Sequence, residues 1–231
     1  MRPRQALKFR SLRSGSENGA CDYIRLMIIL HVDKHLIVVD KPAGLLSVPG
    51  RGDDKQDSLA TRVQAQYADA LVVHRLDQAT SGLLLLARGV AAQRLLSRAF
   101  EQREVDKRYE AVVEGRPAAD AGRVDAALAA DWPNRPRQQV DAEHGKPSLT
   151  LWQLISRSEP EGGARLSLQP VTGRTHQLRV HLQHIGHPVR GDGLYATPPL
   201  RALRLLLHAC QLQILHPASG ESLVFTSRAP F

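Results

Sequence analysis

The chain has only two cysteines, Cys21 and Cys210, too few for a disulfide framework or a cysteine-based zinc cluster. A reducing, cytoplasmic setting is therefore expected. Aromatic residues make up just 4% of the sequence, so each one that falls in a motif carries weight. No run of 18 or more apolar residues occurs, which excludes a transmembrane helix, and no membrane partner is expected. The N-terminus has no apolar core of the signal-peptide kind. Glycine-rich phosphate-binding loops are missing too, so no nucleotide cofactor is expected. Lysine is scarce: only six of the 31 basic residues are lysine.

What remains is a chain of 231 residues with 42% hydrophobic content, enough for one large domain, and a net charge of +8. Arginine's planar fork suits phosphates and bases, so the arginine excess favours nucleic acid as partner. A GC-rich genome would produce the same skew, and both origins stay open here. Residues 1–26 hold six Lys and Arg against two acids and show no periodicity. They read as a basic, disordered tail or an over-extended start, and residues 27–231 read as a single catalytic domain.

From Ile28 the pattern is dense. Short apolar runs at 28–32, 36–39, 71–73, 83–87, 108–114, 149–155, 165–171, 204–215 and 222–226 read as strands, with a polar turn between the third and fourth. Residues 58–67 fit a short helix capped by Ser58 or Asp57. Residues 90–104 place Val90, Leu95, Leu96, Ala99 and Phe100 on one helical face. A further helix is expected over 175–186, ending at Gly186. Strands outnumber helices without alternating with them, which gives an α+β fold on a mixed, mainly antiparallel β-sheet with flanking helices.

Three polar clusters interrupt this pattern: HRLD at 74–77, KRYEA at 107–111 and GRTHQLRVH at 173–181. Asp77 follows an apolar strand, a rigid place for a nucleophile or base. To stay ionised when partly buried it needs a cation, which Arg174 or Arg179 could supply. Equally, Asp77 could do no more than tie down its own turn, and both readings stand on residue chemistry alone. His176, His181, His184 and His187 crowd together, but their spacing matches no metal motif and no acidic residue lies between Arg174 and Arg190. Core-edge or solvated histidines on an RNA-facing helix are expected, with no metal. HRLD differs from the kinase H-R-D-L loop, and the other kinase motifs are missing.

Together the clusters resemble the RluA-type pseudouridine synthases, whose active-site signature is matched by HRLDQATSGLLLLA. The resemblance also takes in VVDKPAGLLSVPG at 38–50, GDGLYA at 191–196 and LLLHA at 205–209. Within the family, LLSVPGR and DWPNRP point to the branch acting on both a tRNA anticodon stem-loop and a 23S rRNA hairpin. The resemblance implies the pseudouridine synthase fold, without the S4 domain of larger relatives. It implies isomerisation of uridine already inside RNA, with no metal or organic cofactor, and a monomeric enzyme is expected. Asp77 matches the catalytic carboxylate, Tyr109 the tyrosine that stacks on the target base, and Arg179 the arginine paired with the carboxylate. Arg75 matches the residue that fills the space of the flipped nucleotide, and Leu178 the apolar residue nearby. His74, Arg174 and His176 are expected as supporting or RNA-contacting groups. The alternatives are the same chemistry on only one of these RNAs or a catalytically silent RNA-binding protein, and a zinc hydrolase would need metal bound through His176–His187.

Overall fold

The computed structural model describes residues 27–198 and 200–231, so the expected tail lies outside the described residues. In chain order the elements are β1 (Ile28–Val32), β2 (Leu36–Lys41), α1 (Leu59–Gln64), β3 (Ala70–Val72), β4 (Ser81–Arg88), α2 (Gly89–Glu101), β5 (Asp106–Val113) and β6 (Ala121–Asp125). They continue as β7 (Leu128–Ala130), β8 (Gln138–Val140), β9 (Leu149–Glu159), β10 (Gly163–Pro170), α3 (Gln177–His184), β11 (Leu207–Leu215) and β12 (Ser222–Thr226). One sheet runs β1-β2-β4-β11-β5-β10-β9-β6, with β12 also pairing β11 and β3 also pairing β4. Strands β7 and β8 form a separate antiparallel hairpin. Among the described strands every pairing is antiparallel except β4 with β11. The sheet is thus mixed and mainly antiparallel, with few helices.

The unbroken apolar run of β4 has a simple cause: this strand is buried on both faces. Successive side chains point to opposite sides, and here each side meets a core. Leu83 and Leu85 join Leu36 and Val38 of β2 and Ala92 and Leu96 of α2. Leu84 and Leu86 join Ile37 and Val39 of β2 and Leu59 and Val63 of α1 on the other face. A third core sets Leu178 and Leu182 of α3 against Ala111 and Val113 of β5 and Leu166 and Leu168 of β10. These packings bring the β3–β4 turn, the start of β5 and the start of α3 to one place.

Local sequence explains the element ends. The Ser58 hydroxyl accepts from Thr61 N–H at 3.2 Å, while Thr61 Oγ1 accepts from Ser58 N–H at 2.9 Å. This is a capping box with threonine in the usual Glu position. Two expectations change on sight of the fold. The buried face of α2 is Ala92 and Leu96, backed by Ala99 and Phe100, whereas Val90 and Leu95 are 56% and 54% exposed. Gly89 begins the helix where β4 ends, and that fixes the phase differently from the apolar spacing. Strands β6, β7 and β8 also emerge from a stretch with no strand pattern of its own. Their residues, AGRVD, LAA and QQV, are small or polar and take strand form only by pairing.

Candidate active site

All eight residues singled out from the three clusters line one cavity of about 530 Å³, a volume typical of small-molecule sites. Asp77 sits in the turn between β3 and β4, and the loop 42–48 holds that turn from behind. The Ser47 hydroxyl donates to Leu76 C=O at 2.7 Å and accepts from Leu76 N–H at 3.0 Å. Gly44 N–H donates to Gln78 C=O at 2.8 Å. Lys41, fully buried, donates through Nζ to the carbonyls of Pro42, Leu45 and Gln78 at 2.9, 2.9 and 3.1 Å. Burial pushes the Lys41 pKa down to about 7, and the charge of Asp77 opposes that shift. Three carbonyl acceptors around one amine favour its ammonium form, which has three donors. The KPAGLLSV stretch is therefore a cradle for the residues on either side of Asp77.

The turn leads into a close approach. Ser81 and Gly82 pair in parallel with His208 and Ala209 of β11. Gly82 has φ +112°, and a Cβ there would lie 2.3 Å from the Ala209 carbonyl oxygen. Only glycine fits this position.

Arg179 reaches Asp77 from α3. Its Nη1 donates to Asp77 Oδ2 at 3.2 Å. Its Nε and Nη2 donate to the two oxygens of Asp192 at 2.7 and 2.8 Å, a bidentate clamp. Asp192 also accepts from the N–H groups of Leu194 and Tyr195. Burial works against the Arg179 charge, but bonding to Asp192 and the two carboxylate charges outweigh it, so its pKa rises. Arg179 thus stays a cation, and only one of its edges faces Asp77. Side-chain exposure is 5% for Arg179 and 22% for Asp77, so the carboxylate keeps access to the cavity.

The loop before α3 is equally constrained. Gln177 Oε1 accepts from Thr172 Oγ1 and from Arg174 N–H, and its Nε2 donates to Leu149 C=O and Thr150 Oγ1. All four bonding positions of this amide are used. His176, just before the helix, has φ 54°, an uncommon conformation for a residue with a side chain. Its Nδ1 bonds the Tyr195 hydroxyl at 2.8 Å, and its Nε2 lies 3.9 Å from Asp77 Oδ2. Burial lowers the His176 pKa, against the pull of Asp77.

Tyr109, at the middle of β5, lines the cavity between two cores. Burial and the nearby Asp77 charge push its phenol up, so it stays protonated throughout the working range. His74 stacks on Phe100 with ring centroids 4.2 Å apart, and its Nε2 accepts from Leu85 N–H at 2.9 Å. Burial takes its pKa down to about 3, which leaves it neutral and committed to anchoring the turn. Arg75 and Arg174 are exposed at the cavity rim, and Leu178 is buried in its wall.

The four clustered histidines separate. His181 is buried, bonded to Thr150 Oγ1 and Ala126 C=O, which corrects its expected place on a solvated or core-edge face. His184 is exposed, and His187 Nδ1 bonds Glu114 C=O. Among the described residues no three His, Cys, Asp or Glu side chains stand close enough to hold a metal ion. Nor is any helix there long and apolar enough to cross a membrane.

Sequence reasoning assigned no role to Asp192, Tyr195, Lys41 or Gln177. The first two lie in GDGLYA and the third in VVDKPAGLLSVPG, so the motifs were visible although the roles were not.

Comparison with known proteins agrees with this arrangement. A family model described as RNA pseudouridylate synthase matches residues 35–184. The dual-specificity RNA pseudouridine synthase RluA of Yersinia pestis is 51% identical over 207 residues, covering 89% of this chain and all of that protein. The enzyme of the same name from Escherichia coli K12 is 50% identical, covering 89% and 94%. Among solved structures, human RNA pseudouridylate synthase domain containing 1 superposes with a TM-score of 0.76 at 28% identity, covering 94% of this chain and 87% of that one.

Proposed function

The chain belongs to the RNA pseudouridylate synthase family and isomerises uridine to pseudouridine within RNA, and from that premise we propose that Asp77 is the residue that acts on the ribose. The observation that carries this reading is the asymmetric grip on Asp77. One oxygen is held by Arg179, itself fixed on Asp192, while the carboxylate remains open to the cavity.

A stacked base cannot rotate, so the target nucleotide must leave the helix and enter the cavity. Tyr109 offers a ring face to uracil, which tolerates rotation because every orientation presents the same π-surface. Arg75, exposed at the rim, fills the vacated position in the RNA. Asp77 then acts as a nucleophile on C1′ or as a base on the sugar. In either case the C1′–N1 bond breaks and uracil rotates until C5 faces C1′. A C1′–C5 bond forms, the C5 hydrogen leaves as a proton and N1 gains one. Nothing is oxidised and no phosphate moves, so the chain's own side chains supply every group the reaction uses. Arg179 fixes the Asp77 carboxylate by donating to its Oδ2, and His176, Arg174 and Leu178 shape the pocket around the nucleotide.

The proposed substrates are one uridine of a tRNA anticodon loop and one of a 23S rRNA hairpin. The resemblance carried by LLSVPGR and DWPNRP supports this, as does the dual specificity named for the bacterial relatives. A monomeric enzyme working in the cytoplasm belongs to the same proposal. The test uses RNA tritiated at uridine C5. Wild-type protein should release tritium from both RNAs, and Asp77→Asn should be slower by roughly 10³-fold or more. Release by Asp77→Asn at the wild-type rate would overturn the assignment. Equal release from an unrelated hairpin would remove the substrate reading.

A further inference from the structure

The β7–β8 hairpin carries the largest exposed aromatic of the described residues, Trp132, at 68% exposure. The Arg135 guanidinium lies 3.6 Å from the centre of its ring, covering one face. The tip is fixed rather than loose. Asn134 Nδ2 donates to both oxygens of Asp131 at 3.0 Å, and Asp131 N–H donates to Arg137 C=O at 3.0 Å. The hairpin is also tied to the active site. Leu128 packs with Val180 of α3 and with Tyr195. The Tyr195 hydroxyl accepts from Gln138 N–H at 2.7 Å and bonds His176 Nδ1 at 2.8 Å. Arg137 sits 5.4 Å above the Tyr195 ring.

We propose that the open face of Trp132, backed by Arg135, is a stacking platform for an unpaired nucleobase beside the target uridine. This rests on the reading that the cavity receives a uridine of RNA. A rigid indole standing in water, one side held by a guanidinium and the other bare, matches the way proteins hold single-stranded bases. Arg135 and Arg137 add positive charge where the RNA backbone must pass. Gln138, at the start of β8, is one step from His176 through the Tyr195 hydroxyl, so the hairpin that carries Trp132 stands beside the His176 side of the cavity, toward which the neighbours of a flipped nucleotide would extend.

The experiment uses Asp77→Asn protein, which leaves the RNA unmodified, with stem-loops carrying 2-aminopurine at each unpaired position flanking the target. Binding should quench one flanking position strongly. Adding Trp132→Ala should abolish that quench and weaken binding roughly 5- to 150-fold, the range for one base stacked on an aromatic ring. Trp132→Phe should retain most of both, whereas Trp132→Leu, with apolar bulk but no ring, should behave like Ala. Binding within twofold of the parent and an unchanged quench in the Ala and Leu variants would overturn the proposal. Failure of wild-type protein to release tritium would strike the isomerase reading instead, which this measurement does not touch.

Discussion

Arg179 is more firmly committed to Asp192, with bonds of 2.7 and 2.8 Å, than to Asp77, with one of 3.2 Å. Asp192 is buried and takes two bonds from the guanidinium, so it sets where Arg179 points, and Arg179 in turn sets Asp77. Removing Asp192 leaves a buried cation with two of its bonds unmade and only the longer contact to Asp77. Asp192→Ala should cost about 3–5 kcal/mol by denaturant unfolding and depress tritium release as well. Asp77→Asn, at a partly exposed site, should leave the unfolding midpoint almost unchanged while abolishing release. A protein in which both substitutions had equal effects on stability would contradict this hierarchy. Asp77, Arg179 and Tyr109 could be singled out because polar clusters interrupting an apolar pattern are visible in a sequence, and the structure brings the three to one cavity. Lys41 and Asp192 were harder to read, since a lone Lys or Asp is an exposed residue by default and only three-dimensional partners show otherwise.

Among the elements, the seam between β4 and β11 decides how tightly the Asp77 turn is held. Gly82 and Gly89 bracket β4, and both have positive φ, yet they differ in their surroundings. A Cβ at Gly82 would meet the Ala209 backbone at 2.3 Å, whereas at Gly89 nothing lies within 4 Å. Gly82→Ala should therefore cost at least about 3 kcal/mol, strain and overlap together, and lower activity by displacing the turn. Gly89→Ala should cost only about 1 kcal/mol from strain. Thermal melting of the two variants, side by side, checks the contrast. Most long elements could be read from periodicity: β2, β4, α1, α2, β9, β10 and β12 lie where the apolar pattern puts them. The phase of α2 was misread because Val90 and Leu95 fall on the helical stripe while the chain's exit from β4 turns them to solvent. The β7–β8 hairpin was illegible because it draws its stability from α3 and Tyr195, partners far away in sequence.

For the molecule as a whole, the buried histidines couple stability to pH. Burial lowers the pKa of His74, His176, His181 and His208, so each stays neutral in the folded state at pH values where an unfolded histidine takes up a proton. Their contribution is complete above pH ~6.5 and is lost as pH falls below it, because the unfolded chain then binds more protons. The unfolding free energy should therefore fall with decreasing pH below ~6.5, by up to ~1.4 kcal/mol per pH unit for each such histidine. For His74, whose folded pKa is about 3, the loss extends from pH ~6.5 down to about that value. In His74→Gln the slope between pH 6 and 4 should be smaller by about one proton, and an unchanged slope would refute the assignment. The contacts that complete the site also span long stretches of chain: Asp77 and Arg179 are 102 residues apart, and Ser81 and His208 are 127 apart. Such closures are slow to form because the entropy of a long loop is lost before any contact repays it. During synthesis the Asp77 turn therefore waits for β11 before it can close. The site can thus form only once β11 has been synthesised, after nearly every element that builds it.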